Sequence, residues 1–276
     1  MQYYRLRVKH RAYEWKRSLE DGFYYKELRE GGKLMLEVID GKIEWNGELW
    51  KYFKTERFIS SLETSQLYFA SANQFDDIFE GAVAVQINEA PPDPRYAEMD
   101  SLEKAFFELK RLTKVNCWHR AEYESDAMWK LYAGESKGIA ICTTPERMRA
   151  AFKPFRLKPA YGVEKLWAGS VEYVDLTQIR IRGVGMRDRF FFKHRAFEWE
   201  NEFRLAISLR MAEESGVQVP DEGIMVEVDF DVLVERIVLG STMPLEEREI
   251  VTHHIARAKL EDRLQRSTLL GHPRYI

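Results

Sequence analysis

The chain is organised around one stretch of alternating charged and apolar residues, Lys193-His194-Arg195-Ala196-Phe197-Glu198-Trp199-Glu200-Asn201-Glu202-Phe203-Arg204-Leu205-Ala206-Ile207. Side chains alternate across a β-strand, so the spacing predicts that Glu198, Glu200, Glu202 and Arg204 share one face. Apolar runs on both sides of the charged positions favour an otherwise buried strand. A charged face on such a strand predicts a polar cleft. The alternative is a solvated edge strand, with Arg204 and Lys193 as counter-ions.

The composition is that of an ordinary globular protein. The 276 residues are 45% hydrophobic and 32% charged, enough for a sizeable core in one large domain or two small ones. A formal net charge of −3 gives no general attraction to nucleic acid or to an anionic membrane, although local basic patches remain open. No apolar run approaches the roughly 20 residues of a membrane span. Together with a cysteine count of only 2, this predicts a cytoplasmic protein.

The first 48 residues read as an appendage to the main domain, which we expect to span residues 49–276. The spacing predicts a helix over residues 4–28, ended by Gly31-Gly32. Short strands should follow, separated by the hairpin dipeptides Asp40-Gly41 and Asn46-Gly47.

The main domain is predicted to be α+β, with strands dominating its centre and helices its ends. It opens as strand, short helix and strand over residues 49–53, 58–62 and 67–71, followed by a turn over 73–81. The other predicted elements are a helix over 101–114, a strand over 115–119, a short helix capped by Ser125 or Asp126, a strand over 138–142, a helix opened by Thr144-Pro145, strands over 171–175, 223–229 and 234–240, and a helix over 244–264.

Two acidic and aromatic groups of residues are candidates for function. Asp76, Asp77 and Glu80 lie in the predicted turn, where an aspartate can equally cap a short helix, and their spacing matches no calcium loop. Trp129 and Tyr132 share one helix face, which suits either a core or a platform for a planar ligand. His119 has no second histidine at metal-ligand spacing, so it reads as structural. A phosphate loop, a dinucleotide fingerprint, a nucleophile elbow and a His-Glu-x-x-His pair are all missing from the sequence.

Four motifs together resemble a prokaryotic family known as domain of unknown function 2971, over roughly residues 50–240. They are Trp50-Lys51-Tyr52, Phe75-Asp76-Asp77-Ile78-Phe79-Glu80, Met128-Trp129-Lys130-Leu131-Tyr132-Ala133 before Gly138-Ile139, and Lys193 before Phe197-Glu198-x-Glu200-x-Glu202-x-Arg204. The chain departs from the family pattern at two places. It has Asp76-Asp77-Ile78 where the family usually has Asn-Asp-Pro, and Trp118-His119 where the family usually has Phe-Ser. The resemblance carries no activity by itself.

A more distant resemblance, to ADP-ribosyltransferase-like toxins, does imply a mechanism. Asn201-Glu202-Phe203 is similar to the strand that carries the catalytic glutamate in that superfamily, and Lys51-Tyr52 stands where His-Tyr often stands. The resemblance implies mostly antiparallel sheets around a cleft, flanked by helices, with NAD as the substrate. Glu202 would stabilise the positive charge that builds on the ribose, with Glu200 in the same cleft.

Arg204 is counted with Glu200 and Glu202 as catalytic, and the remaining site residues are assigned as NAD contacts under the same resemblance. Arg204, Lys193 or Lys51 would meet the pyrophosphate, and Trp129 or Tyr132 would stack on a ring. Tyr52 belongs to the Lys51-Tyr52 motif, and we expect Asp77 to face the same cleft as the glutamates. No metal ligand is assigned in this reading.

Three functional hypotheses remain open at this point, and the residues do not decide whether the chain is an enzyme. The leading one is an ADP-ribosyltransferase-like enzyme that modifies a macromolecule or hydrolyses NAD, as a toxin or a phage-defence effector. Its target would be a protein or a nucleic acid, with an antitoxin or regulatory partner and no membrane. The second is a metal-dependent nuclease that uses Asp76, Asp77, Glu80, Glu200 and Glu202. The third is a non-enzymatic binding or regulatory module, in which these charges form a structural network of ion pairs.

Overall fold

The computed structural model has an α+β fold with a mixed, mostly antiparallel sheet and several helices. It describes residues 43–83, 104–159 and 162–269 with their side chains. It also describes the backbone of residues 97–103 and of five short strands within residues 1–42.

The sixteen strands and seven α-helices of the described residues are numbered in chain order. The strands are β1 (Leu6–Val8), β2 (Arg11–Tyr13), β3 (Trp15–Arg17), β4 (Tyr24–Lys26), β5 (Leu36–Val38), β6 (Leu49–Phe53), β7 (Gln66–Ser71), β8 (Thr113–Arg120), β9 (Ile139–Thr143), β10 (Leu166–Ser170), β11 (Glu172–Val174), β12 (Phe192–His194), β13 (Glu202–Ser208), β14 (Ile224–Glu227), β15 (Arg236–Leu239) and β16 (Leu264–Arg266). The helices are α1 (Thr55–Thr64), α2 (Ala97–Leu112), α3 (Asp126–Tyr132), α4 (Pro145–Ala151), α5 (Arg210–Glu214), α6 (Phe230–Leu233) and α7 (Leu245–Arg257).

The main sheet has ten strands, and β8 lies at its branching point. One edge of β8 pairs along its whole length with β13, from Glu202 opposite His119 to Ser208 opposite Thr113. The other edge is divided between β6, which pairs near Arg120, and β7, which pairs near Lys114. The sheet therefore has two branches, β6-β9-β15-β16 and β7-β14, that share β8 as a common strand.

Side chains fill the gap that the branching leaves in the hydrogen-bonded ladder. The Lys51 ammonium donates to the Cys117 carbonyl oxygen over 2.9 Å. The Asn116 amide donates to the Tyr68 carbonyl oxygen over 2.7 Å. Since a buried backbone carbonyl without a partner is costly, these two residues make the divided edge stable.

Three buried clusters of apolar side chains pack against the sheet. The largest includes Phe58, Phe69, Trp118 and Phe203. A second surrounds Trp50, Tyr52 and Trp129, and a third holds Phe190 and Phe191 against Val115 and Ala206. No helix in the described part of the chain is long and apolar enough to cross a bilayer.

Most predicted elements of the main domain are confirmed, including β6, α1 and β7 in that order. The Ser125 hydroxyl oxygen caps α3 by accepting from the Met128 amide over 3.4 Å, and Thr144 caps α4. Helix α7 ends at Arg257, earlier than expected. Strand β10 was not foreseen from the sequence.

The N-terminal predictions require correction. In place of a helix over 4–28, the described segments of that region are the strands β1 to β4. Residues 4–9 in fact alternate apolar and basic side chains, a period of two that favours a strand. Asn46-Gly47 forms a turn, with the Gly47 amide bonded to the Glu44 carbonyl oxygen over 3.2 Å, but no strand precedes it within residues 43–48. Asp40-Gly41 lies outside the described residues, and β5 pairs with β10 of the main sheet.

Candidate functional site

Between Glu198 and Arg204, the central stretch is a strand only from Glu202 onward, which corrects the expected alternation. Residues Arg195–Glu200 form a 3₁₀ turn, so Glu198 is exposed and does not share a strand face with Glu202. Asn201 joins the turn to β13 with left-handed backbone angles, φ 40° and ψ 58°. Asparagine tolerates this conformation better than most residues, and its side-chain amide also donates to the Arg120 carbonyl oxygen over 2.6 Å.

The kink at Asn201 brings Glu200 and Glu202 together by a route other than strand alternation. Glu202 and Arg204 do share a strand face, as their spacing predicts. Glu200 reaches the same place from the end of the 3₁₀ turn, where His119 Nδ1 lies 2.6 Å from its carbonyl oxygen. Because a carbonyl oxygen only accepts, His119 carries its proton on Nδ1 here and fixes the position of Glu200.

Arg204 is buried between two carboxylates. Its Nη1 and Nη2 donate to Glu80 over 2.6 and 3.0 Å, and its Nε donates to Glu202 over 2.7 Å. Nη1 also donates to the Phe190 carbonyl oxygen over 2.6 Å. Burial alone would lower the pKa of Arg204, but the charges of Glu202 and Glu80 raise it well above its ordinary value. This guanidinium is fully occupied by the protein, so it has no donor left for a ligand.

Glu80 pairs with Arg204, and the alternation of charges along the strand could not predict this contact. It is fully buried at the end of the turn predicted over residues 73–81. The next residue, Gly81, has φ +75°, and a side chain there would meet the Phe190 ring at 2.7 Å. Glycine thus allows the turn to pack close enough for Glu80 to reach Arg204. Burial raises the pKa of Glu80, and the Arg204 charge acts against that rise.

Lys193 lies between the two glutamates of the central stretch. Its ammonium donates to Glu200 Oε2 and, over 2.7 Å, to Glu202 Oε1. It comes from β12, where Lys193 is opposite Tyr173 of β11, and the Tyr173 hydroxyl oxygen accepts from the Glu202 amide over 2.7 Å. We name Glu80, Lys193, Glu200, Glu202 and Arg204 the charge cluster; its side chains are between 0% and 8% exposed.

Within the charge cluster, the pKa values of the neighbouring Glu200 and Glu202 shift in opposite directions. Burial, followed by the adjacent Glu202 carboxylate, raises the pKa of Glu200 to about 7. Burial would also raise the pKa of Glu202, but the Arg204 guanidinium, the hydrogen bond with Glu200 and the Lys193 charge together hold that pKa well below its usual value. Three carboxylates face two cations, and the pKa of about 7 means that Glu200 takes up or releases a proton near neutral pH. One carboxylate that titrates near neutral pH beside one that stays ionised is a typical acid–base arrangement.

Glu200 also contacts a partly exposed side chain. Its Oε1 accepts from the Tyr132 hydroxyl over 3.2 Å, and Tyr132 is 45% exposed. The half-buried Phe197 ring lies 4.7 Å from the Lys193 ammonium. Tyr132 and Phe197 thus border the cluster on the side of Glu200.

Other residues assigned from the sequence do not join the cluster. Lys51 fills the gap between the sheet branches, where burial lowers its pKa to about 8. The Tyr52 hydroxyl accepts from the Ser125 amide over 2.8 Å, and its ring packs edge-on against Trp129 at 5.2 Å. Trp129 is 1% exposed and donates to Glu124 over 2.8 Å, so neither of its faces is free for a ligand. Asp77 accepts from the Phe79 amide over 2.8 Å, as a local cap, while its other oxygen is buried without a partner in the described structure.

The charge cluster is buried and lines neither of two depressions on the described surface. Two surface depressions, of about 460 and 660 Å³, are lined by other residues, such as Lys153 and Asp229 in the first and Asp126 and Thr242 in the second. Within the described residues, no group of three or more His, Cys, Asp or Glu side chains has a geometry that could hold a metal ion. The cluster carboxylates are instead directed at Lys193 and Arg204.

Fold and site together define an α+β protein with a buried acid–base cluster at the start of a central strand. No family model matches the chain, and neither a curated protein nor a solved structure does.

Proposed function

We propose that this protein is an enzyme that breaks the bond between nicotinamide and ribose in NAD and transfers the ADP-ribosyl group to a macromolecule or to water. The observation that supports the proposal is the pair Glu200 and Glu202, whose proton affinities are driven apart around Lys193. The proposal agrees with the resemblance of Asn201-Glu202-Phe203 to the catalytic strand of ADP-ribosyltransferase-like toxins.

The chemistry needs a negative environment for the ribose and an acceptor for one proton. As the ribose C1′–N bond breaks, its electron pair leaves with the nicotinamide ring nitrogen, which becomes neutral, and positive charge builds on the ribose. An oxygen of the acceptor then bonds to C1′, and its proton passes to a base. Glu200, with a pKa of about 7, is suited to take that proton at neutral pH.

The two glutamates have different roles in this proposal. Glu202 is held by Arg204 and Lys193, so it supplies a fixed negative charge and orients Lys193. Glu200 borders the half-exposed Tyr132 and is the carboxylate that touches the substrate. This assignment differs from the sequence-based one, in which Glu202 has the leading role. Arg204 becomes a positioning residue because its donors are already used.

The test is release of nicotinamide from NAD by the purified protein, with and without cell lysate as a source of acceptors. Glu200→Gln keeps the shape of the side chain but removes the base, and we expect turnover to fall by about 100-fold or more. The matched control is Glu198→Gln, since Glu198 is an exposed glutamate in the same 3₁₀ turn. Its turnover should equal that of the wild type.

Two results would contradict the proposal. One is wild-type turnover in Glu200→Gln at equal folded fraction. The other is an absence of nicotinamide release under every condition, while Glu200→Gln changes only the melting temperature. In the second case the charge cluster is a structural network of ion pairs, which is the role that Arg204 has in any case because its donors are bound by the protein.

A further inference from the structure

A second feature, independent of the charge cluster, is a basic and aromatic surface on the same face of the sheet. Residues 165–195 contain seven arginines and lysines but only three acidic residues, in a chain whose net charge is −3. The side chain of Trp167 lies on the sheet face of Arg204, because Trp167 is opposite Ala206 and Gly169 is opposite Arg204. The 3₁₀ turn Asp188–Phe191 covers this face and carries Arg187 and Arg189 at its start.

Two aromatic rings on this surface are each flanked by two cations. The Arg187 guanidinium lies 3.9 Å from the centre of the Trp167 ring, and the Lys165 ammonium lies 5.7 Å from it. Lys110 and Arg189 approach the Phe106 ring at 5.0 and 5.6 Å.

The described acidic residues of this segment form no ion pair with its arginines at positions 180, 182, 187 and 189. Asp188 is buried and accepts from the Gly185 amide over 3.3 Å, and Asp175 is engaged by Thr177 and His194. Within the described part of the chain, the guanidinium groups of Arg180, Arg182, Arg187 and Arg189 form no ion pair with a carboxylate. The Nε of Arg189 is also buried without a hydrogen-bond partner there. The exposed guanidinium groups of Arg180 and Arg182 can therefore contact an anionic ligand.

Arg180 and Arg182 extend the surface as exposed side chains. They flank Ile181, whose amide donates to the Val83 carbonyl oxygen over 2.8 Å. This bond ties their segment to the turn that ends at Gly81, which packs on Phe190. We name Phe106, Trp167, Arg180, Arg182, Arg187 and Arg189 the basic face.

We propose that the basic face binds single-stranded nucleic acid. Guanidinium groups contact phosphates, and their planar outer faces stack on bases, as do aromatic rings. Unpaired bases are free to reach such platforms, whereas the bases of a duplex are hidden in its stack. A polyglutamate chain would satisfy the charges but has no aromatic ring to stack on Trp167 or Phe106.

The experiment is fluorescence anisotropy with a labelled oligothymidylate of about 16 nucleotides, a usual site size for such surfaces. The comparison ligands are a duplex of the same length and a polyglutamate of equal charge. Binding without NAD, at about 50 mM salt, should be strongest for the single strand and should weaken linearly on a log–log plot against salt.

Variants of the basic face locate the binding site. Arg180→Ala with Arg182→Ala should reduce the salt slope by about 0.7 for each phosphate that the protein no longer neutralises. Trp167→Leu should weaken binding by roughly tenfold or more, because the stacking platform is removed. The charge-matched control is Lys54→Ala with Arg257→Ala, two exposed cations on and beside α1 and α7. This control should bind like the wild type.

The possible failures are distinct from failure of the proposed enzymatic function. Glu200→Gln should bind the oligonucleotide normally, since Glu200 does not belong to the basic face. The proposal is overturned by absence of binding at low salt, by equal losses in the basic-face and control variants, or by binding of the duplex as tightly as of the single strand. If polyglutamate binds as tightly as the oligonucleotide, the surface instead serves an acidic protein.

Discussion

Two fully buried cations on adjacent strands show how differently one sheet can accommodate positive charge. Lys114 lies on β8 opposite Ile207, and Arg204 lies on β13 opposite Cys117, so they occupy opposite faces of the sheet. Lys114 donates to neutral oxygens, namely the Ser71 hydroxyl over 2.8 Å and the carbonyls of Pro220 and Glu222. Arg204 is bound by the carboxylates of Glu80 and Glu202.

The surroundings move the two pKa values in opposite directions. Burial lowers the pKa of Lys114 to about 8, because neutral acceptors compensate only part of the missing hydration. The charges of Glu202 and Glu80 raise the pKa of Arg204. A buried lysine that donates to carbonyl oxygens holds the loop around Pro220 and Glu222 in place. A buried arginine between carboxylates instead forms a network of ion pairs, in which Glu200 can bind or release a proton near neutral pH.

The largest effect should come from removing the cation of that network. Arg204→Leu leaves Glu80 and Glu202 buried without their main partner, and we expect a loss of about 3–5 kcal/mol in the free energy of unfolding. Urea denaturation measures it, with Arg210→Leu as the control, since Arg210 pairs with Glu214 on the surface. A loss below about 1 kcal/mol would mean that the cluster is as weak as a surface pair.

The proton on Glu200 should appear in the pH dependence of stability. Its pKa is about 7 in the folded state against an ordinary value of 4.5, so the folded protein binds more protons than the unfolded chain between these values. The contribution of Glu200 to the free energy of unfolding is therefore greatest below pH 4.5. It is lost as the pH rises through 7, and the loss is at most about 3 kcal/mol.

Glu200→Gln should remove this decrease, whereas Glu198→Gln should retain it. Chemical denaturation at several pH values between 4.5 and 8 gives the comparison, because other groups contribute equally to both variants. An unchanged slope in Glu200→Gln would place the proton elsewhere in the charge cluster.

A smaller loss should follow removal of the neutral-bound cation. Lys114→Met leaves two carbonyls and a hydroxyl without their donor, and we expect a cost of about 1–3 kcal/mol. The ordinary pKa of 10.5 lies above the folded value of about 8, so the unfolded chain binds more protons in this interval and stability rises with pH. Lys51 acts in the same direction, so Lys114→Met should reduce this rise without abolishing it. If Lys114→Met costs as much as Arg204→Leu, the comparison of the two cations fails.

The smallest effect should come from the border of the charge cluster. Tyr132→Phe removes one hydrogen bond to Glu200 from a half-exposed ring, at a cost of about 0.5–1.5 kcal/mol or less. A donor stabilises the ionised form of a carboxylate, so its removal should raise the pKa of Glu200 further. The midpoint of the pH dependence described for Glu200 reports the shift. A downward shift would show that the Tyr132 hydroxyl does not donate to this carboxylate.

Much of the main domain could be predicted because its signals are local. A few neighbouring residues are enough to predict the helix caps Ser125 and Thr144, the turn at Asn46-Gly47 and the apolar strand β9. The contacts of Glu202 with Arg204 and Lys193 could also be predicted. Glu202 and Arg204 are two residues apart on one strand, and Lys193 is a nearby residue of opposite charge to Glu202.

The rest depended on tertiary contacts that no short window contains. Glu198 left the expected face because one left-handed residue, Asn201, ends the 3₁₀ turn. Glu80 reaches Arg204 from a distant turn through the close approach at Gly81. Lys51 looked like a ligand contact, yet it satisfies a carbonyl that the branching of the sheet exposes. A sequence pattern indicates which residues are charged, but not which backbone groups lack a partner.

The divided edge of β8 has a consequence for how the protein opens and closes. Each of its partners, β6, β7 and β13, belongs to a different part of the chain, so β8 can be completed only after several long loops have closed. Either branch can detach without freeing the edge that β13 covers. The amides of β8 that face β13 should therefore exchange with solvent only in the globally unfolded state, while those of β14 and β16 exchange through local openings. The strand that holds the two branches together is also the last to lose its protection.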